Sequence, residues 1–85
     1  MYTLYILRCS DNTLYTGITN NLEKRIKMHN GEIPGGARYT SGRRPVQVVY
    51  SEELAGRSEA TKREREVKKL RREEKEGLVA GYIKT

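Results

Sequence analysis

Two short segments rich in aromatic and β-branched residues lie at the start of the chain, separated by a small polar cluster. Residues 2–9 (YTLYILRC) and 13–19 (TLYTGIT) have the composition of β-strands, and Ser10-Asp11-Asn12 is a typical turn sequence. Two strands joined by so short a turn run antiparallel. This predicted hairpin constrains the fold more than any other feature, because the rest of the chain has to cover it.

A helix is predicted directly after the hairpin. Asn20 is a favourable N-cap, Glu23 completes a capping-box pattern three residues later, and Gly31 suits the left-handed residue that ends a helix. At about 100° per residue, Leu22 and Ile26 mark the face of this helix that is buried. The helix is therefore expected to pack one apolar stripe against the sheet.

The second half of the chain predicts a loop, a strand and a longer helix. Residues 31–45 combine glycines, two prolines and several arginines, which indicates a loop long enough for either function or disorder. Residues 46–50 (VQVVY) predict a third strand. A second helix is expected from about Ser58 to Glu76, with Gly77 as its end.

This order of elements predicts an α+β fold. We expect a small, three-stranded, mainly antiparallel sheet flanked by helices, in the order β-β-α-β-α. The 85 residues suffice for one small domain, with a core over about residues 1–76 and a short C-terminal tail at 77–85.

Charge is the compositional feature with the clearest functional meaning. The 17 Lys and Arg residues against 11 Asp and Glu give a formal net charge of +6, which favours a nucleic-acid partner. No apolar run approaches the roughly 20 residues of a membrane span, so no membrane partner is expected. Cys9 is the single cysteine and cannot form an internal disulfide, which favours a reducing, cytoplasmic setting.

Two tyrosines and a glycine stand out in the predicted hairpin. Gly17 lies inside the second strand, where glycine usually marks a bulge or the close approach of a ligand or another backbone. Tyr5 and Tyr15 share a sheet face only if the hairpin loop has an odd number of residues. Packed tyrosines with satisfied hydroxyls are the more common explanation of such a pair.

Three further side chains border the apolar stripes of the predicted helices. Arg25 and His29 lie one turn apart on the first helix, and Glu64 lies at the margin of the stripe on the second. A hydrogen-bonded, half-buried histidine and a surface ion pair are the structural alternatives. The functional alternatives are a histidine that exchanges protons and a carboxylate that holds a metal.

The predicted loop contributes a basic cluster with one aromatic ring. Its members are Arg38, Tyr39, Arg43 and Arg44. Guanidinium groups suit phosphates and the tyrosine ring suits base stacking, so the cluster is a candidate nucleic-acid contact. A solvated loop is the alternative.

In combination, these motifs resemble the GIY-YIG nuclease domain. Its two half-motifs are matched by Leu4-Tyr5-Ile6 and Tyr15-Thr16-Gly17, and its Arg-x-x-x-His helix by Arg25 and His29. Similarity to the small single-domain bacterial members is carried by Ala37-Arg38-Tyr39-Thr40 and Ala60-Thr61-Lys62-Arg63-Glu64. The resemblance covers roughly residues 1–76.

The resemblance implies a fold, an activity and a set of site residues. The fold is a three-stranded antiparallel sheet flanked by helices, and the activity is cleavage of DNA phosphodiesters with one divalent ion, Mg²⁺ or Mn²⁺. Single-stranded and branched DNA are among the expected substrates. The functional residues of the family map to Tyr5, Tyr15, Arg25, His29 and Glu64. Of these, Glu64 is implied to be the metal ligand. The resemblance further implies that Gly17 lets its strand pass close to the site, that Tyr39 lies beside it, and that the two tyrosines share a face.

The chain departs from the family pattern at one position. Several family branches carry an asparagine about a dozen residues after the metal glutamate, in the region where this chain has Glu76. Two alternatives to an active endonuclease follow. One is a nucleic-acid-binding module on the same scaffold that cuts little or nothing. The other is a basic accessory protein that docks an acidic protein or a ribosome through residues 62–76.

General chemistry leaves the identity of the base open among Tyr5, Tyr15 and His29. A free tyrosine has a pKa near 10 and is a poor base at pH 7 unless its surroundings lower that value.

For so small a domain, a protein partner or a homo-oligomer is a further way to grip the substrate.

Overall fold

The N-terminal hairpin forms the centre of the computed structural model, which describes residues 1–82. Strand β1 (Tyr2–Arg8) pairs antiparallel with β2 (Leu14–Thr19) on one side and with β3 (Gln47–Leu54) on the other. The sheet order is β2-β1-β3. The expected α+β architecture with a three-stranded antiparallel sheet is confirmed.

Four helices surround this sheet in the described part of the chain. They are α1 (Leu22–His29), the short α2 (Arg38–Ser41), α3 (Arg57–Lys68) and α4 (Arg72–Tyr82). None of the helices within residues 1–82 is both long enough and apolar enough to cross a membrane.

The single long helix predicted from Ser58 to Glu76 is two helices in the structure. The chain turns after α3, and the Glu74 carboxylate accepts a hydrogen bond from the backbone N–H of Arg71 at 2.9 Å, just before α4. The turn brings Leu70 and Leu78 into one apolar cluster against the sheet. Gly77 therefore lies inside α4 and does not end a helix.

The central strand is buried on both faces, and this fixes which side chains meet. Leu4 and Ile6 pack with Val67 of α3 on one face, whereas Tyr5 and Leu7 point to the other. All four β1 side chains are at most 1% exposed. Consecutive residues of a strand alternate between faces, so this continuous run needs helices on both sides of the sheet.

The register of the hairpin confirms that the two tyrosines share a face. Tyr5 lies opposite Gly17 and Leu7 lies opposite Tyr15. Directly paired residues of antiparallel strands point to the same side, so Tyr15 joins Tyr5 and Leu7 on the face covered by α1.

The helix caps differ from the sequence prediction by small shifts. The N-cap of α1 is Asn21, one residue later than predicted, and its side chain accepts the Lys24 backbone N–H at 3.1 Å. Glu23 is therefore no capping-box partner. Gly31 has a φ of +78° and is the left-handed residue expected after the helix. Ser58 does not cap α3, whose N-cap is Gly56.

The glycine-rich loop of residues 31–45 is tied to the sheet and to α1. The Asn30 amide exchanges two hydrogen bonds with the Val46 backbone, at 2.7 and 3.1 Å, where β3 is about to begin. Arg43 pairs with Asp11 of the hairpin turn at 3.0 Å, and Arg44 donates to the His29 carbonyl at 2.7 Å. These contacts, together with the short α2, order a segment whose composition alone permits disorder.

An ion-pair cluster joins the hairpin to the last helix. Arg8 of β1 makes a two-pronged contact with the Glu76 carboxylate at 2.7 and 3.0 Å, and Arg72 approaches the same carboxylate at 2.9 Å. Arg72 also donates to the carbonyl of Asn12 in the turn. The hydrogen bond from Arg8 is the largest cause that lowers the pKa of Glu76 to about 2, and the hydrogen bond from Arg72 adds to it.

We predict that Glu76→Gln lowers the urea midpoint of unfolding at pH 7 and that the difference from wild type shrinks as the pH falls below about 4.5. The depressed pKa of Glu76 means that its stabilisation is complete above the ordinary carboxylate pKa of 4.5 and is lost as the pH falls toward 2. The measurement is the urea midpoint of both proteins as a function of pH.

Glu73→Gln is the matched control. The Glu73 carboxylate is largely exposed, and its ion pair with Arg71 is long, at 3.7 Å, so it contributes little to stability. If the urea midpoints of Glu76→Gln and wild type differ by the same amount across this pH range, the stabilising role of the ion-pair cluster is contradicted.

Candidate active site

A chain of three buried polar groups connects the sheet, α1 and α2. The Tyr5 hydroxyl lies 2.9 Å from Nε2 of His29, and Nδ1 of the same ring lies 2.9 Å from Oγ1 of Thr40. Tyr5 is 1% exposed, and the His29 and Thr40 side chains are fully buried. His29 is therefore more deeply placed than the half-buried histidine that the sequence suggested.

The hydrogen bonds determine where the protons lie in this chain. The Thr40 hydroxyl donates to the Ala37 carbonyl at 3.0 Å, so toward His29 it acts as an acceptor. His29 consequently carries its proton on Nδ1, and the Nε2 lone pair accepts from the Tyr5 hydroxyl. Each buried group has a partner, which is the condition for burying polar groups without a large free-energy cost.

Burial and nearby charge keep both ends of the Tyr5–His29 contact neutral. Burial first, and then the positive charges of Arg25 and Arg44, lower the pKa of His29 to about 4. Burial also raises the pKa of the Tyr5 hydroxyl above its usual value. Arg25 opposes this rise of the pKa through a side-chain hydrogen bond and its positive charge, whereas the Glu64 carboxylate adds to it. The hydroxyl of Tyr5 thus lies within the electrostatic reach of both Arg25 and Glu64.

Gly17 makes room for the ring of Tyr5, the residue opposite it on β1. A Cβ at Gly17 would lie 2.5 Å from the Tyr5 hydroxyl oxygen and 2.7 Å from Cζ. The ring therefore leans across β2 through the space that any other residue would fill.

An aromatic row continues from this point toward the loop. The Tyr15 ring meets His29 edge-on, with centroids 5.3 Å apart, and lies 5.4 Å from the ring of Tyr39. Tyr15 is partly exposed, and its hydroxyl forms no hydrogen bond within residues 1–82. The structure thus brings Tyr5, Tyr15, His29 and Tyr39 together, and the hydroxyl of Tyr15 is available to an external group.

Arg25 lies at the border between this cluster and solvent. One of its guanidinium nitrogens donates to the Gly35 carbonyl at 2.8 Å and contacts the sulfur of Met28 at 3.4 Å. These contacts hold the guanidinium on the loop side of α1 without pairing it to a carboxylate. Its positive charge remains uncompensated, which suits an anionic ligand.

Glu64 lies on α3, four residues after the buried Ala60 and three before the buried Val67. Its side chain is 22% exposed, and one carboxylate oxygen pairs with Lys68 at 3.3 Å. The other oxygen has no hydrogen-bond partner within the described residues. No cluster of three or more His, Cys, Asp or Glu side chains in residues 1–82 is arranged to hold a metal. A lone carboxylate nevertheless fits Mg²⁺, which commonly binds one or two carboxylates and fills its remaining positions with water and substrate phosphate.

Two of the loop arginines make contacts within the protein that the sequence did not predict. Arg43 lies over the Tyr39 ring, 4.3 Å from its centroid, while Arg44 binds the end of α1. Arg38 is exposed, and Tyr39 is 39% exposed. Arg43 and Arg44 therefore shape the loop, and nucleic-acid contact by the four residues stays a prediction.

Thr40 is the site residue that sequence reasoning missed. It appeared only as part of the Ala37-Arg38-Tyr39-Thr40 motif, and nothing in its local pattern signals burial. A threonine in a polar, glycine-rich loop usually lies in solvent. Only the fold reveals that it is the acceptor for His29.

The chain is similar to known proteins over most of its length. The family model for the GIY-YIG catalytic domain matches residues 1–77. A UPF0213 protein from Clostridium perfringens is 52% identical over 80 residues, covering 94% of this chain and 84% of that protein. Another from Natronomonas pharaonis is 50% identical over 78 residues, covering 91% of this chain and 88% of that protein.

One solved structure is also similar. The solution NMR structure of a UPF0213 protein from Bacillus halodurans has a TM-score of 0.59 and 43% sequence identity. The match covers 94% of this chain and 84% of that one.

We predict that the His29 imidazole stays neutral, with its proton on Nδ1, until the pH falls well below 6. Its lowered pKa of about 4 means that the unfolded chain takes up a proton first, near pH 6.5. Folding stability therefore falls as the pH drops through 6.5 toward 4. Nitrogen NMR of the imidazole ring as a function of pH measures both the tautomer and the pKa.

Thr40→Val and Thr40→Ser are the matched variants for this test. Valine keeps the shape but leaves the Nδ1 proton without an acceptor, so we expect lower stability and a mixture of tautomers, whereas serine keeps the wild-type spectrum. A wild-type ring protonated on Nε2 would contradict the assignment.

Proposed function

The chain belongs to the GIY-YIG family, and we propose that it is a metal-dependent endonuclease that hydrolyses phosphodiester bonds in DNA. A GIY-YIG catalytic domain implies nuclease-type activity and therefore a nucleic-acid substrate. The observation that carries the proposal is the hydrogen bond from Tyr5 to a neutral, buried His29 within reach of the charges of Arg25 and Glu64.

Tyr5 is the group that takes the proton of the attacking water. Its own proton points to His29 Nε2, so the oxygen lone pairs face away from His29, one toward Arg25 and one left to accept from the water. As the water loses a proton to the Tyr5 oxygen, the Tyr5 proton passes to His29 Nε2. His29 is fully buried behind the Tyr5 hydroxyl, which makes it the second group of this relay.

Arg25 and Tyr15 bind the phosphate that is attacked. The uncompensated guanidinium of Arg25 stabilises the charge that develops on the phosphoryl oxygens. A phosphate next to Arg25 also offsets the positive charge that lowers the pKa of His29, so substrate binding makes His29 a better proton acceptor. The free hydroxyl of Tyr15 donates to a phosphate oxygen.

Glu64 is the residue that would hold the divalent ion, Mg²⁺ or Mn²⁺. Nucleases of this family generally use such an ion, and here it would supply positive charge for the phosphoryl and leaving oxygens. Glu64 contributes one carboxylate oxygen that no other described residue binds. In the proposed setting, a reducing cytoplasm, the buried Cys9 remains a thiol.

A cleavage time course tests the proposal. Wild type and Glu64→Gln are incubated with single-stranded, duplex and branched DNA in Mg²⁺, Mn²⁺ or EDTA. We expect metal-dependent cutting by wild type that the variant loses. Salt-sensitive binding by both proteins without cutting would instead identify a binding module on a nuclease scaffold.

We predict that Glu64→Gln and Arg25→Ala each slow cleavage by a factor of ~100 or more, because each removes a charge that stabilises the transition state. Lys27→Ala is the control, since Lys27 is exposed on the same helix as Arg25 and its side chain forms no hydrogen bond or ion pair within residues 1–82. Single-turnover rates with saturating protein give the comparison. Near-wild-type rates for either site variant would refute the assigned roles.

A further inference from the structure

A groove of about 400 Å³ opens beside Arg25, where β2 ends and α1 and α3 begin. Such a volume falls within the range of pockets that hold small organic ligands. Its lining includes cationic, neutral polar and apolar side chains. The cationic side chains are Lys24, Arg25 and Arg57, and the apolar side is formed by Tyr2, Ile18 and Met28.

The charge of the groove is one-sided. Three cationic side chains line it, and none of the nine described residues that form its wall is acidic. Within residues 1–82, the side chains of Lys24 and Arg57 form no ion pair or hydrogen bond, in contrast to Arg43 and Arg44. Uncompensated cations that line one groove favour an extended anion such as a sugar–phosphate backbone.

The apolar side of the groove suits an exposed base. Tyr2 is partly exposed and lines the groove together with Ile18 and Met28. Bases stack on aromatic rings in single-stranded complexes, whereas in a duplex their faces are covered by neighbouring base pairs. The combination of a basic wall and an aromatic ring is therefore typical of a site for an unpaired strand.

We propose that this groove binds a single-stranded DNA segment next to the phosphate that is cut, with Lys24 and Arg57 on its phosphates and Tyr2 against a base. The inference rests on the proposed nuclease function and deepens it, because Arg25 belongs to both the groove and the site. It shifts the main nucleic-acid contact from the loop arginines to the end of the β2 edge. It also makes an unpaired strand the preferred substrate.

The first test measures binding without cleavage. Affinity for an unstructured oligothymidine is determined in EDTA at several salt concentrations for wild type, Lys24→Ala, Arg57→Ala and Lys62→Ala. Each variant loses one positive charge, but Lys62 is exposed on α3 and does not line the groove. We expect each groove variant to reduce the salt slope by roughly 0.7, the value for one lost contact on single-stranded DNA, and Lys62→Ala to leave it unchanged.

The second test isolates base stacking. Tyr2→Leu should weaken single-strand binding about ten-fold or more while duplex binding changes less than about two-fold, and Tyr2→Phe should retain the wild-type affinity. Groove variants that behave like Lys62→Ala, or a Tyr2→Leu variant that weakens both DNA forms equally, would overturn the proposal. Cleavage by wild type is scored separately, so a protein that cuts but ignores these substitutions refutes the groove and leaves the nuclease proposal intact.

Discussion

A hydroxyl group on the central strand of a three-stranded sheet needs a partner once helices cover both faces of that strand. Tyr5 meets this requirement by donating to His29, which in turn donates to Thr40. These two hydrogen bonds tie β1 to α1 and to the loop that follows α1. The remaining features of the site are arranged around it: the missing side chain of Gly17 admits the Tyr5 ring, and Tyr15 packs against His29.

The two faces of the sheet have different tasks. The face that holds Tyr5 and Tyr15 carries the candidate site, whereas Leu4, Ile6 and Arg8 point to the opposite face by strand alternation. On that opposite side, Glu76 joins Arg8 and Arg72. Glu76, in the region where the family resemblance implies an asparagine in several branches, is thus part of an ion-pair cluster in this protein. Its contribution is to hold α4 against the hairpin.

Much of the fold was predictable because it depends on local patterns. Strand composition and the polar turn identified the hairpin, and Gly31 was recognised as the left-handed end of α1. The break after Lys68 was not predictable, since it depends on how Leu70 and Leu78 reach the sheet together. Thr40 was missed for a similar reason, because its burial and its bond to His29 depend on tertiary packing. The helical spacing correctly placed Arg25 and His29 beside the apolar stripe. It did not predict how deeply His29 is buried.

The central claim is that the Tyr5 hydroxyl takes the proton from water and relays its own to His29. Single-turnover DNA cleavage by Tyr5→Phe tests it most directly, because phenylalanine keeps the buried ring and removes only the oxygen that lies 2.9 Å from His29. Circular dichroism verifies that the variant is folded. The account predicts a rate lower by a factor of ~100 or more, within the range that general acid–base groups contribute. Cleavage by Tyr5→Phe at the wild-type rate would contradict it.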